Sequence, residues 1–378
     1  MKSKKMSLLY LQPIDSTLAS KTYKPQQLGS QIRKHTFELG VPDLDEIKVA
    51  FFSVETAERT LHEVRKSLYA LYRGNWNFPI ADLGILYEGH STSDTYFAVR
   101  ELVNSLIKQN ITPVVIGGKR DLTYPIYRSF NTLEQMVNLV TVNPTFDFGD
   151  KYELFSETSY LSRILSEEPI NLFDFTNLGY QSYYVAQEEL DLLEKMCFDT
   201  YRLGIIVNDL PMIEPTMRDA DIVSITMNAI QARDIENTDG FVNGFSNREI
   251  CAISRYAGIS SNVQVYGIFD IPDTGLAAQL TGQMFWYFCE GFNFRVKELP
   301  LVNDNNYIKY IVPVDDIQIE FFKSVATGRW WMKAGSESFS ERKPHLPLGL
   351  IPCNHKEYLD ATQGVIPERW WKAYRKSI

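Results

Sequence analysis

The chain has 378 residues, 44% of them hydrophobic and 13% aromatic, a composition that supports a large α/β core with an extension and excludes a disordered chain. Its formal net charge of -9 excludes nucleic acid and anionic membrane surfaces as main partners. Four scattered cysteines, Cys197, Cys251, Cys289 and Cys353, show neither zinc spacing nor a disulfide framework, and no apolar run reaches membrane length, so a cytoplasmic protein without a stable membrane anchor is expected.

Residues 1–47 open with a basic segment whose apolar run over 8–11 stops at Gln12 and Pro13, short of a signal sequence. With Pro25 and Pro42 they predict a loosely structured lead-in over the edge of a domain spanning 48–310. A strand over 48–54 and a helix over 55–72, with Leu61, Val64, Leu68 and Leu71 on one stripe, make the first unit of a doubly wound sheet. A strand over 80–86 and a helix over 93–109, with Ala98, Leu102 and Leu106 inward, make the second. His90, in the loop between them, reads as a surface residue.

The strand over 113–116 stops at Gly117-Gly118 and hands Lys119, Arg120 and Asp121 to a helix start. Two later segments repeat that form: a strand over 139–142 runs into Asn143, Pro144, Thr145, Phe146 and Asp147, and one over 221–225 into Thr226, Met227 and Asn228. As parallel neighbours, such strands deliver all three sets of polar groups to one rim. Helices over 157–167, 186–196, 250–257 and 276–289 alternate with strands over 172–180, 201–207 and 263–269. Beyond them, 307–314 reads as a strand and 317–325 as alternating or helical.

In their order these stretches resemble the ureohydrolase family of arginase, agmatinase and formimidoylglutamase. The family's motifs read Gly-Gly-x-His, Asp-Ala-His-x-Asp and Ser-x-Asp-x-Asp-x-x-Asp, and hold two manganese ions that activate a bridging hydroxide. Asp82-Leu83-Gly84 is similar to the family's Asp-x-Gly strand. The segments Leu178-Gly179-Tyr180-Gln181, Glu214-Pro215 and Arg218-Asp219-Ala220-Asp221 resemble the formimidoylglutamase branch, in particular a divergent bacterial subgroup poor in metal ligands. The resemblance covers about residues 48–292 and implies a three-layer α/β/α fold with a mostly parallel central sheet.

Laid on that pattern, Arg120 stands at the first histidine, Asn143, Thr145 and Asp147 at the Asp, His and Asp of the second motif, and Thr226, Asn228 and Gln231 at the aspartates of the third. Only Asp147 keeps its type. Neutral amides and hydroxyls replace a divalent ion's water shell poorly, and a guanidinium cannot deprotonate to become a ligand. The expectation is therefore no metal and no cofactor, with Arg120 filling the vacated cavity and pairing with Asp147. Where active relatives carry a glutamate before Asn-Pro, Phe269, Asp270, Ile271 and Pro272 occupy the turn, which removes the expected substrate contact.

The resemblance thus implies a non-catalytic ureohydrolase-fold protein that binds a small ligand in the old cleft or joins a complex, with a protein partner or with copies of itself. The alternative is a hydrolase of linear amidines or guanidines, formimidoylglutamase-like or arginase-like, with a rebuilt manganese site. Metal-free hydrolysis with Asp147 as base and Lys119 or Arg120 as clamp lacks a nearby histidine or nucleophile. Residues 311–378 form a tryptophan-rich extension in which Trp330, Trp331, Trp370 and Trp371 read either as interface anchors or as clamps onto the chain's own domain. The cationic, aromatic stretch over 368–376 reads as a capping tail.

Overall fold

The computed structural model describes residues 7–133, 135–149, 158–298, 300, 305–334 and 349–377. The basic opening segment and the first residue of the helix expected over 157–167 lie outside the described residues, as does part of the extension.

Ten strands form the main sheet: β1 (Leu11–Gln12), β2 (Arg33–Lys34), β3 (Val49–Glu55), β4 (Ile80–Tyr87), β5 (Thr112–Gly117), β6 (Val137–Val142), β7 (Leu172–Tyr180), β8 (Asp199–Arg202), β9 (Ile222–Thr226) and β10 (Val265–Phe269). Their order is β1-β4-β3-β5-β10-β9-β6-β7-β8, with β2 beside β4, and every pairing but β1 with β4 is parallel. Parallel strands read as continuous apolar runs because both faces are covered, and alternate residues here enter two separate cores. Phe51, Val114, Ile116, Val140, Ile225 and Ile268 face one side. Phe52, Val54, Val115, Leu139, Ile222 and Val265 face the other.

The first core is closed by the helices His62–Ala70, Asn247–Ile259 and Gly275–Asn293, which contribute Leu68, Ile253, Phe285 and Phe288. The second is closed by Thr92–Ile107, Tyr160–Ser166 and Gln187–Lys195 through Val99, Leu102, Ile164 and Leu193. The result is a three-layer α/β/α arrangement.

The chain moves from β5 to β6 and returns later to insert β9 and β10 between them. The loops after β5 and β6 therefore part above β10 and β9, which makes the crevice where open α/β sheets place ligands. Register holds the four strands level: Ile116 pairs with Ile268, Ile268 with Ile225, and Ile225 with Val142. Their carboxyl ends form one rim.

Four antiparallel strands make a second sheet, β11 (Tyr307–Val314), β12 (Ile317–Ser324), β13 (Trp330–Lys333) and β14 (Leu350–Cys353). The helices His355–Thr362 and Glu368–Ser377 follow. The last helix docks on the edge of the main sheet, where Lys372 Nζ meets Asp199 Oδ1 at 2.6 Å and Arg369 Nη2 meets Thr216 Oγ1 at 3.1 Å.

Several expected elements differ. The lead-in is stitched to the sheet rather than loose, because β1 and β2 both pair with β4. The helix placed over 55–72 begins only at His62, since Glu55 still belongs to β3. The strand placed over 201–207 ends at Arg202 and gives way to the helix Leu203–Asn208. In that apolar run only Ile206 is buried, while Ile205 and Val207 are exposed. Of residues 317–325, read as alternating or helical, Ile317–Ser324 take the strand form, and β11 starts inside the 48–310 unit. Of the four tryptophans read either as interface anchors or as clamps onto the chain's own domain, Trp330, Trp331 and Trp370 are buried within the chain, with Trp370 Nε1 donating to the Lys333 carbonyl at 2.8 Å. Only Trp371, 47% exposed, remains on the surface.

Candidate functional site

β5 ends at Gly117 and Gly118, both in the left-handed region with φ of 86° and 68°. A Cβ on Gly117 would stand 2.3 Å from Leu61 Cδ1 and 2.7 Å from the Val54 carbonyl oxygen, so only glycine permits this turn. The turn delivers Arg120 over the ends of β10 and β9, where it meets two aspartates.

Arg120 Nε donates to Asp147 Oδ2 at 2.9 Å, and Nη1 approaches Asp270 Oδ2 at 3.4 Å. The Arg120 main-chain N–H also donates to Asp270 Oδ1, at 3.2 Å. Both aspartates have positive φ, 56° at Asp147 and 54° at Asp270. Such backbone in non-glycine residues is uncommon and tends to gather at sites.

Asp147 has only 1% of its side chain exposed, yet its charge is well satisfied. Thr145 Oγ1 donates to it at 3.0 Å, and the Asn143 amide bonds it closely. Asp270 accepts from Thr226 Oγ1 at 2.6 Å and from Asn228 Nδ2 at 3.5 Å. Burial raises the Asp270 carboxyl above its ordinary range, and Arg120 opposes that rise. Burial works against the Arg120 charge, but Asp147 and then Asp270 outweigh it and strengthen its hold on the proton. Tyr160, fully enclosed nearby, has its hydroxyl kept neutral by burial and then by the Asp147 charge.

Six of the seven positions singled out in the sequence converge here: Arg120, Asn143, Thr145, Asp147, Thr226 and Asn228. Gln231 does not. Its Nε2 donates to the Gly244 carbonyl at 3.2 Å, holding the loop paired to Phe245.

Asp270 is the member that sequence reasoning passed over as a lost contact. The signal available was an acid placed directly after an apolar strand. A second buried network joins the last residue of β3 to the body of β4, where Arg65 Nη1 meets Glu55 Oε1 at 2.9 Å and Nε meets Asp82 Oδ2 at 2.9 Å. Arg65 lies on the buried stripe of the covering helix, four residues after Leu61 and three before Leu68, so its spacing was the signal available for it.

Above the cluster opens a cleft of about 840 Å³ with Arg120 and Asp270 at its floor. Glu58, Glu88, Glu236 and Asp239 line its walls against Arg59 and Lys119. No group of three His, Cys, Asp or Glu side chains converges in metal-binding geometry among the described residues. The donor set itself fits manganese poorly: the carboxylate oxygens of Asp147 and Asp270 are spent on Arg120, hydroxyls and amides, and a fixed positive charge stands between them.

A parallel sheet with this crossover, and polar side chains gathered on its carboxyl rim, define an open α/β protein with its site at that rim. The profile of the arginase family matches residues 30–235, and the chain belongs to that family. Its fold is similar to that of the formiminoglutamase of Trypanosoma cruzi, with TM-score 0.63 and 14% identity over 71% of this chain and 99% of that one. The formimidoylglutamase of Bacillus subtilis gives TM-score 0.62 and 13% identity over 73% and 96%. The agmatine ureohydrolase of Thermoplasma volcanium gives 0.54 and 16% over 74% and 98%. A curated relative, an uncharacterized 32.2 kDa protein in the hmfB 3' region of Methanothermus fervidus, is 23% identical over 154 residues. That match takes in 38% of this chain and about half, 51%, of the relative's length. No helix among the described residues is long and apolar enough to cross a membrane.

Proposed function

We propose that this arginase-family chain carries an internal guanidinium–dicarboxylate cluster in place of a binuclear manganese centre and serves as a binding or complex-forming subunit rather than a hydrolase. The observation that supports this most is the position of Arg120, which bonds both Asp147 and Asp270 at the rim of the central strands. A cation already fixed between the two acids supplies the charge balance that metal ions would otherwise bring. The cleft above has a volume of about 840 Å³ and a polar lining, so a small ligand can enter it. Among the described residues, the side chains bonded to Asp147 and Asp270 are Arg120, hydroxyls and amides, with no histidine among them to act as a base.

Metal analysis of the purified chain after incubation with manganese tests the reading, together with assays of formimidoylglutamate, agmatine and arginine. The expected result is sub-stoichiometric manganese, no release of formamide or urea, and an unchanged Tm after EDTA. Two manganese ions per chain, or turnover of any of the three compounds, overturns it.

A further inference from the structure

A second pocket, of about 600 Å³, lies at the opposite ends of the same four central strands. Its floor is formed by Thr112, Gln135, Asp221 and Gln264, at or just before the starts of β5, β6, β9 and β10. A strand of six residues separates it from the Arg120 rim, roughly 17 Å at about 3.3 Å per residue. Arg329, Trp331 and Pro352 of the second sheet close one wall. That wall lies outside residues 30–235, the stretch that the arginase-family profile matches.

Two enclosed guanidiniums face this seam. Arg218 donates through Nη2 to the carbonyls of Trp330 and Cys353, both at 3.0 Å, and its Cζ lies 4.5 Å from the centre of the Trp331 ring. It shares one carboxylate, Glu214, with Arg329. Its Nε and Nη1 have no hydrogen-bond partner. Arg295 donates to the carbonyls of Gly258 and Val263, at 2.8 and 2.9 Å, and stacks on Phe292. Burial pushes it down to about 9, with no carboxylate among the groups that oppose the fall. Lys297 stands exposed at the mouth.

Among the described residues, Arg218 forms its ion pair with Glu214, and the acids that line the pocket have other partners. Asp221 accepts from the Asn138 main chain at 2.8 Å and from Gln135 at 3.0 Å. Glu298 is taken by Ser324, Thr327 and Arg329. Asp219 also lines the wall. A buried guanidinium held mainly by neutral carbonyls is costly, and an oxyanion beside it recovers that cost.

We propose that this seam is a binding site for a small molecule bearing a phosphate or carboxylate oxyanion, with Arg295 and Lys297 contacting the anion and the charge of Arg218 behind them. Because one wall belongs to the second sheet, occupancy ties the extension to the amino ends of the strands that carry the rim cluster. The site is independent of the reading given to the rim.

Calorimetric titration of the full chain with pyrophosphate and, separately, with citrate at constant ionic strength tests this. The expected result is saturable binding with a Kd below ~1 mM for at least one probe. The preferred probe assigns the oxyanion as phosphate or carboxylate. Lys297→Glu, at an exposed position, is expected to weaken that binding about tenfold with Tm unchanged. Lys21→Glu, a charge-matched change at the remote N-terminal region, is expected to leave it as it was. Absence of saturable binding to both probes, full affinity in Lys297→Glu, or equal losses in the two variants overturns the proposal.

Discussion

Arg120→Met keeps much of the side-chain volume and removes the charge between the two rim aspartates together with its N–H donors to them. Asp147 is then left 99% enclosed without its counter-ion, since just 1% of its side chain is exposed. Breaking a buried pair in this way costs about 3–5 kcal/mol. Here the Arg120 side chain is 16% exposed, and Thr145, Asn143, Thr226 and Asn228 continue to donate to the carboxylates. These lower the expected loss to about 2–4 kcal/mol at pH 8.

The loss also has a pH signature. Asp270 is already raised by burial, with Arg120 opposing the rise, so the variant raises its folded pKa further. An acid whose folded pKa exceeds the unfolded value destabilises progressively as pH climbs from the unfolded value, near 3.8, to the folded one. The deficit of Arg120→Met therefore shrinks as pH falls from 8 towards 4. Urea denaturation followed by tryptophan fluorescence at several pH values measures it as a shift in midpoint at constant slope. Adding Asp147→Asn to Arg120→Met is expected to restore more than half of the loss. A deficit below about 1 kcal/mol at pH 8, or one independent of pH, refutes a buried cluster in which the guanidinium balances the acids.

Three further outcomes follow from the geometry. Asp270→Asn mimics the protonated acid that burial favours, so its stability relative to the native chain rises between pH 4 and pH 7 in paired denaturation curves. Gly117→Ala places a methyl group against Leu61 and the Val54 carbonyl at a positive φ and is expected to cost about 2 kcal/mol or more by the same measurement. Trp370→Ala removes a buried ring and its bond to Lys333, for an expected loss of about 3–5 kcal/mol in unfolding of the extension. Trp371→Ala, at the exposed neighbour, is expected to change stability by about 0.5 kcal/mol or less.

The divergence of Asp270 from its sequence reading has a plain physical origin. Its main partner, Arg120, lies 150 residues away along the chain. Spacing along a chain reports helix and strand faces, and it carries no record of which distant loops meet. The same limit hid the partners of Arg65, whose place on the inward stripe of its helix is local but whose acids Glu55 and Asp82 come from two strands. It also hid the seam pocket, whose wall depends on a second sheet docking near Arg218.

Strand existence was far easier to read. The runs at β5, β6 and β9 are apolar on both faces because both faces are buried, and that pattern is local. The run at Leu203–Asn208 is the counterexample, since a short apolar stretch fits a strand or one turn of partly buried helix until its neighbours choose.

By itself, then, the order of residues determined the alternation of strands and helices, the polar set at the strand ends and the family resemblance, because each rests on neighbours in the chain. Only the tertiary structure decided that Arg120 bridges two aspartates, that Gln231 turns away, and that three tryptophans are internal. Those outcomes depend on electrostatic and packing partners that are close in space and distant in the chain.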